Sequence, residues 1–237
     1  MLFVDKKYRL PRIWSNNELK KFANLFDGDI VNVSAWKDED KEGKKYKDYF
    51  INAKSYSITN YKKEARGFQG TEGEIFLNLE ESLPNNLINK FDVVFNHTVL
   101  EHVYDFKKSF KNLCSMSRDI VIIIVPFLQE MHSDYGDYWR FTPLAIKSMF
   151  EENDMEVIYS SFNEHKKSSI YLFFIASKRS EKWGDIKNKF SYKNKNKVLL
   201  GGEEQYVGFR SINNSFLFRI KSVLKNKFNS LFNNRNK

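Results

Sequence analysis

A single cysteine, Cys114, in 237 residues rules out an intrachain disulfide and a multi-cysteine zinc site, so a reducing cytoplasm is the expected compartment. Long apolar runs are missing too. The longest, Ile120–Leu128, is too short to span a bilayer and contains Pro126. The opening stretch MLFVDKKYRLPRIW has no apolar core of the kind a signal peptide needs. Most of the chain also lacks excess charge. Residues 180–237 hold 13 basic and 4 acidic side chains, which accounts for the whole net charge of +9. The pI near 9.3 therefore describes an appendage, and neither a basic active site nor a nucleic-acid partner follows from it. What is present is enough for a folded globule: 41% hydrophobic and 16% aromatic residues, at a length suited to one domain with appendages.

Element signals run along the chain in a definite order. Ser15-Asn16-Asn17-Glu18 fits a capping box for a helix ending at Asp27-Gly28. Asp29–Ser34 reads as a strand, and the charged residues 36–50 as a mostly solvated face. Tyr56–Thr59 and Ile75–Leu79 are short strand candidates around the glycine-bearing loop Arg66–Gly73. Phe91–Phe95 and Ile120–Val125 are apolar strands separated by a helix, a βαβ unit whose ligands would sit beyond the strands' carboxyl ends. Thr142-Pro143 predicts a helix start leading to Phe150. Glu156–Phe162 and Ser169–Ala176 are joined too tightly for a parallel crossover, so they must pair antiparallel.

Within Phe91–Pro143 the pieces FDVV, VLEHV and VPF, followed by DYWRFTP, carry a family signal. This segment resembles the second half of the class I S-adenosylmethionine-dependent methyltransferases, in the form found in glycan-assembly gene clusters. The resemblance spans roughly residues 28–178 and is stronger after Phe91. It implies an α/β fold: a mostly parallel, doubly wound, Rossmann-like sheet closed by an antiparallel hairpin. The expected divisions are an N-terminal helical segment (1–27), the methyltransferase-like domain (28–178), a polar basic linker (179–208) and a basic amphipathic helix (209–237).

The same resemblance implies S-adenosylmethionine as cofactor, bordered by Val33, Ser34, Ala35, Trp36, Asn60, Asn78, Leu79, Asn96 and His97. The family's glycine-rich turn after the first strand lets backbone approach the methionine part of the cofactor. Here its three glycines are replaced by Ser34, Trp36 and Asp38. Asn32, Asn60 and Asn78 stand where the family usually has carboxylates. Two readings follow: a remodelled pocket that still holds cofactor, or a binding protein whose methionine pocket is filled by the Trp36 indole.

The loop Gln129–Phe141 holds the catalytic candidates. Methyl transfer to a hydroxyl needs an aligned acceptor and a proton acceptor. His132 could take the proton, Asp134 or Asp137 could orient it, and Arg140 could clamp a substrate phosphate or carboxylate. The structural alternative has Tyr138, Trp139 and Phe141 anchoring the loop while Arg140 pairs with Asp137. His97 and His102 are five apart, about 140° around a helix, so no metal site is expected of them. Glu101-His102 reads as an internal hydrogen-bonded pair, and Cys114, Leu100 and Val103 as core.

By analogy with the family, the methyl acceptor is a hydroxyl of a sugar or nucleotide-linked glycan precursor, with a non-catalytic assembly role as the alternative. Ile212, Phe216, Ile220, Val223, Leu224, Leu231 and Phe232 recur near helical period beside Arg219, Lys221, Lys225 and Lys227. That pattern is expected of a helix docked on the inner membrane face, on the core domain or on a second subunit.

Overall fold

The computed structural model describes residues 4–62, 67–132, 136–189, 196–200, 203–209 and 211–212. Its centre is a seven-stranded sheet in the order β3-β2-β1-β4-β5-β7-β6. The strands are β1 (Asp29–Val33), β2 (Ser55–Asn60), β3 (Glu74–Phe76), β4 (Phe91–His97), β5 (Ser117–Leu128), β6 (Glu156–Phe162) and β7 (Ile170–Ser177). Neighbours from β3 through β5 pair parallel, whereas β7 runs antiparallel to both β5 and β6. The short connection therefore does force an antiparallel pair, and β7 is inserted between β5 and β6.

Strand alternation divides the core between two faces. Val121, Ile123 and Val125 of β5 face one cluster, and Ile120, Ile122 and Ile124 the other. In β7, Leu172 and Phe174 face the first cluster, and Tyr171, Phe173 and Ile175 the second. A strand buried on both faces reads as one continuous apolar run, which is why β5 was visible in the sequence. On the first face lie helix α2 (Phe106–Met116) with Phe110, Leu113 and Cys114, and helix α3 (Pro143–Glu151) with Ile146 and Phe150. Asp105 and Thr142 cap these helices, accepting from Lys108 N and Ala145 N. Cys114 is core as expected, and burial pushes its thiol up to about 12.

The second face departs from the sequence reading. Its helix α1 spans Arg9–Lys20 and does not start at Ser15. Asp5 organises the turn before it, its carboxylate accepting from the N–H groups of Lys7, Tyr8 and Arg9 at 3.0, 3.0 and 3.2 Å. Ser15 is mid-helix, where its hydroxyl donates back to the Arg12 carbonyl at 2.9 Å. Leu19 and Phe22 carry this segment into the core beside Phe173.

Residues 36–50 are mostly exposed, as expected, but five of them turn inward. Asp38 and Asp40 are each only 6% exposed, and Tyr46, Tyr49 and Phe50 lie in the core. No α-helix links β1 to β2; a 3-10 turn, Tyr46–Tyr49, and its aromatics fill that space. The carboxylates turn inward because they have donors to meet. Asp38 accepts from Asn32 Nδ2 (2.7 Å), the Tyr56 hydroxyl (2.7 Å) and Lys47 N (2.9 Å). Asp40 accepts from Glu42 N, Lys44 N and the Tyr49 hydroxyl.

The stretch read as a linker, 179–208, holds a 3-10 turn (Ser180–Trp183), helix α4 (Gly184–Lys189) and strands β8 (Lys197–Leu200) and β9 (Glu203–Tyr206), which pair antiparallel. Trp183 packs on Phe26, and Ile186 is buried in the second cluster. The expected basic helix over 209–237 lies outside the described residues except for 209, 211 and 212. Among the described residues, no helix is long and apolar enough to cross a membrane.

Candidate active site

Val33, Asn60 and His97 end β1, β2 and β4, and parallel pairing sets Val33 beside both Thr59 and Asn96. The loop leaving β1 has an unusual backbone. Ser34, Trp36 and Asp38, the three residues in place of glycine, all lie in the left-handed region, with φ of 57°, 51° and 58°. An L-residue there costs roughly 1–2 kcal/mol, so a glycine-type path is kept against the preference of its own side chains. Hydrogen bonds hold it. Ser34 N donates to Thr59 Oγ1 (3.2 Å), Ala35 N to Thr59 O (3.1 Å), and Trp36 N to Asn60 Oδ1 (2.6 Å). Asn60 Nδ2 returns to Trp36 O at 3.0 Å and to Glu74 Oε1 at 2.6 Å. The Trp36 indole belongs to neither core cluster and is half-buried, with Lys37 Nζ 5.2 Å from its ring centroid. Ser34→Gly should raise stability by up to about 1 kcal/mol in urea unfolding, because relief of the strain outweighs the unfolded-chain entropy that glycine adds. A loss of stability would contradict the strained-loop reading.

The other cofactor candidates divide. Val33 and Leu79 pack their side chains into the core. Asn78 lies beyond the end of β3, bonded to Glu80 N (3.1 Å) and Glu81 Oε1 (3.0 Å), next to Leu77, whose N–H donates to Asn60 O at 2.9 Å. Asn96 donates to Val33 O at 3.1 Å, while its buried Oδ1 has no partner. His97 is enclosed. Ser15 Oγ, whose hydrogen goes to Arg12 O, accepts from His97 Nε2 at 2.9 Å, which leaves Nδ1 to accept from Arg12 Nη1 at 3.3 Å. Burial first, and then the Arg12 charge, pushes its pKa well below the usual histidine value, so the ring is neutral.

The catalytic loop is tied down as the structural alternative expects. Arg140 grips Asp137 bidentately, Nη2 to Oδ2 at 2.7 Å, and also donates to the carbonyls of Gln129, Glu130 and Trp139. Burial pushes the Asp137 carboxyl up, but the Arg140 guanidinium and the His132 N–H outweigh it and hold the pKa below the carboxylate range. The Trp139 indole donates to Val103 O at 3.0 Å, and Phe141 is core. His132 Nδ1 lies 3.3 Å from Asp137 Oδ2 but out of hydrogen-bonding alignment. Its ring also packs on Tyr8 and His102. Asp134 lies outside the described residues.

Glu101 and His102 are not the hydrogen-bonded pair expected of them. Glu101 Oε1 and His102 Nε2 are 3.7 Å apart, and His102 Nδ1 is instead 2.6 Å from the Gly136 carbonyl. Glu101 is 1% exposed, and burial raises its carboxyl to about 8 against the opposing pull of Arg12 and Arg140. Sequence reasoning singled out Glu101 only as a partner of His102, and it missed Arg12. The available signal was a lone ionisable residue inside an apolar setting, Val99-Leu100-Glu101 and Leu10-Pro11-Arg12-Ile13-Trp14.

No family model and no curated protein sequence matches this chain. Solved structures do. A candidate methyltransferase from Bacillus halodurans C-125 is 9% identical, covering 68% of this chain and 97% of that one, at a TM-score of 0.50. The YcgJ protein from Bacillus subtilis is 11% identical, over 70% and 98%, at 0.50. Magnesium protoporphyrin IX methyltransferase from Synechocystis PCC 6803, with bound S-adenosylmethionine, is 10% identical, over 75% and 84%, at 0.48. At such identities the likeness is one of fold. With its strand order and single reversed strand, the chain has the Rossmann-like fold of the class I methyltransferases.

Proposed function

We propose that this protein is an S-adenosylmethionine-dependent methyltransferase acting on a hydroxyl. The observation that carries the reading is the loop after β1: three non-glycine residues keep a left-handed path where the fold family uses glycine. Strain of that kind persists where the surroundings enforce it, and it gathers at functional sites. The residues fit the cofactor at this end of the sheet. Asn96 Oδ1 is an orphaned buried acceptor beside the end of β1, suited to the cofactor's ammonium group. Asn60, with both N–H groups used, retains acceptor capacity only. When bound, S-adenosylmethionine supplies an electrophilic methyl group on a sulfonium.

The chain's own residues do the rest. His132 is the group suited to take the acceptor's proton, because its Nδ1 is unbonded and Asp137 stands near enough to stabilise an imidazolium. Arg140 keeps Asp137 ionised for that role and is not itself available to a substrate without giving up Asp137. A sugar or nucleotide-linked glycan precursor is the acceptor class suggested by the Asp137–Pro143 run.

A second reading, a non-catalytic relative, is favoured by one observation: the N–H groups of Ser34 and Ala35 already donate to Thr59, and the Trp36 peptide and the Asn60 amide satisfy one another. Calorimetric titration separates the two. Saturable binding of S-adenosylmethionine is expected, and no heat of binding up to millimolar ligand would favour the non-catalytic relative.

A further inference from the structure

Buried polar atoms without partners are rare in folded proteins, so a cluster of them marks a place meant for an occupant. Among the described residues, seven such atoms occur, and five lie at the carboxyl ends of β4 and β5: Asn96 Oδ1, Glu101 Oε2, Gln129 Nε2 and Oε1, and His132 Nδ1. Water could satisfy their hydrogen-bonding needs. It could not answer the charge beside them.

That charge is Arg12. Among the described residues no carboxylate oxygen lies within 4.0 Å of its guanidinium. Its surroundings are Tyr171, Tyr46, Glu101 and His97. Each is neutral near pH 7. Burial raises both tyrosines above their ordinary value, lowers His97 and pushes Glu101 up to about 8. Arg140, whose charge also reaches Glu101, is already neutralised by Asp137. Among the described residues the half-buried Arg12 guanidinium therefore has no ionised partner within 4.0 Å, and a charge drawn partly out of water favours a counter-ion.

Tyr171 begins β7 opposite Pro126 of β5, so its hydroxyl stands at the same end of the sheet as Gln129 and Glu101. The parts then combine without contradiction. A guanidinium matches a planar or tetrahedral oxyanion, a protonated carboxyl and an amide N–H can each donate to it, and no ionised carboxylate repels it.

We infer that Arg12, Glu101 and Gln129 form an anion subsite for a phosphate or carboxylate group of the ligand. Its assignment to the methyl acceptor rests on the methyltransferase reading above; anion binding itself does not. The acceptor's anionic end would lie beneath α1, and its reacting hydroxyl toward His132.

The test is calorimetry on the full chain without cofactor, using inorganic phosphate and succinate as separate probes. At least one should bind saturably within tens of millimolar, and the preferred one distinguishes a phosphorylated from a carboxylated source. Arg12→Gln should weaken binding about tenfold or more, the worth of a charge-assisted hydrogen bond. Arg12→Lys should recover much of it, which separates lost charge from a damaged helix. Failure of both anions to bind would overturn the inference, as would wild-type binding by Arg12→Gln. A positive result with no S-adenosylmethionine binding would sink the methyltransferase reading alone.

Discussion

Glu101→Gln is expected to stabilise the protein, and by far more at pH 8 than at pH 5. The wild-type carboxyl is buried, with a folded pKa raised to about 8 from 4.5. Below the unfolded value both states hold the proton, and the group contributes nothing to the pH dependence. Between the two values the unfolded chain ionises while the folded chain keeps its proton, so stability falls as pH rises. Above the folded value the penalty is fully present. A pKa unit corresponds to about 1.4 kcal/mol, so the amide should gain up to about 5 kcal/mol at high pH. Urea unfolding across the range reads this directly. A gain that does not grow with pH would mean that Glu101 is ionised in the folded protein, and Arg12 would then have its counter-charge.

Asp137→Ala should be the most damaging change in the loop. The carboxylate is 1% exposed, grips Arg140 through two bonds and accepts the His132 N–H at 2.7 Å. Removing one partner of a buried pair leaves the other charge uncompensated, at a cost of about 3–5 kcal/mol. Arg140 keeps its carbonyl partners, which favours the lower end of that range. Thermal unfolding should show the loss, and proteolysis should cut within 129–141. A change below about 1 kcal/mol would mean that Trp139 and Phe141 hold the loop without the ion pair.

The parts of this fold that could be read in advance are those where burial and pattern coincide. β5 is apolar because both faces are covered, and Thr142-Pro143 states a helix start in two residues. β6 and β7 had to be antiparallel because their connection is short. The parts that could not be read depend on partners distant in sequence. Ser15–Glu18 imitates a cap, yet the true organiser is Asp5, and Ser15 is occupied with Arg12 and His97. Within the mostly exposed charge run 36–50, the burial of Asp38 depends on donors from Tyr56 and Asn32.

The site was legible in the same uneven way. The positions of the missing glycines were identifiable, but not that Ser34, Trp36 and Asp38 would all keep a left-handed backbone there. That Asn60 would spend its amide on the Trp36 peptide was not, because nothing local couples two residues 24 apart. Arg12 escaped notice because its meaning arises only where α1 crosses the ends of β4 and β7.

The central claim is that the strained loop and Asn96 still frame a cofactor site. A crystal structure of the full chain with S-adenosylhomocysteine tests it most directly. The account predicts ligand density between Ser34–Asp38 and Asn96, with the Asn96 Oδ1 accepting from the amino group and the Trp36 indole displaced to the rim. Density for the indole in that space, with the ligand absent or bound elsewhere, would contradict it.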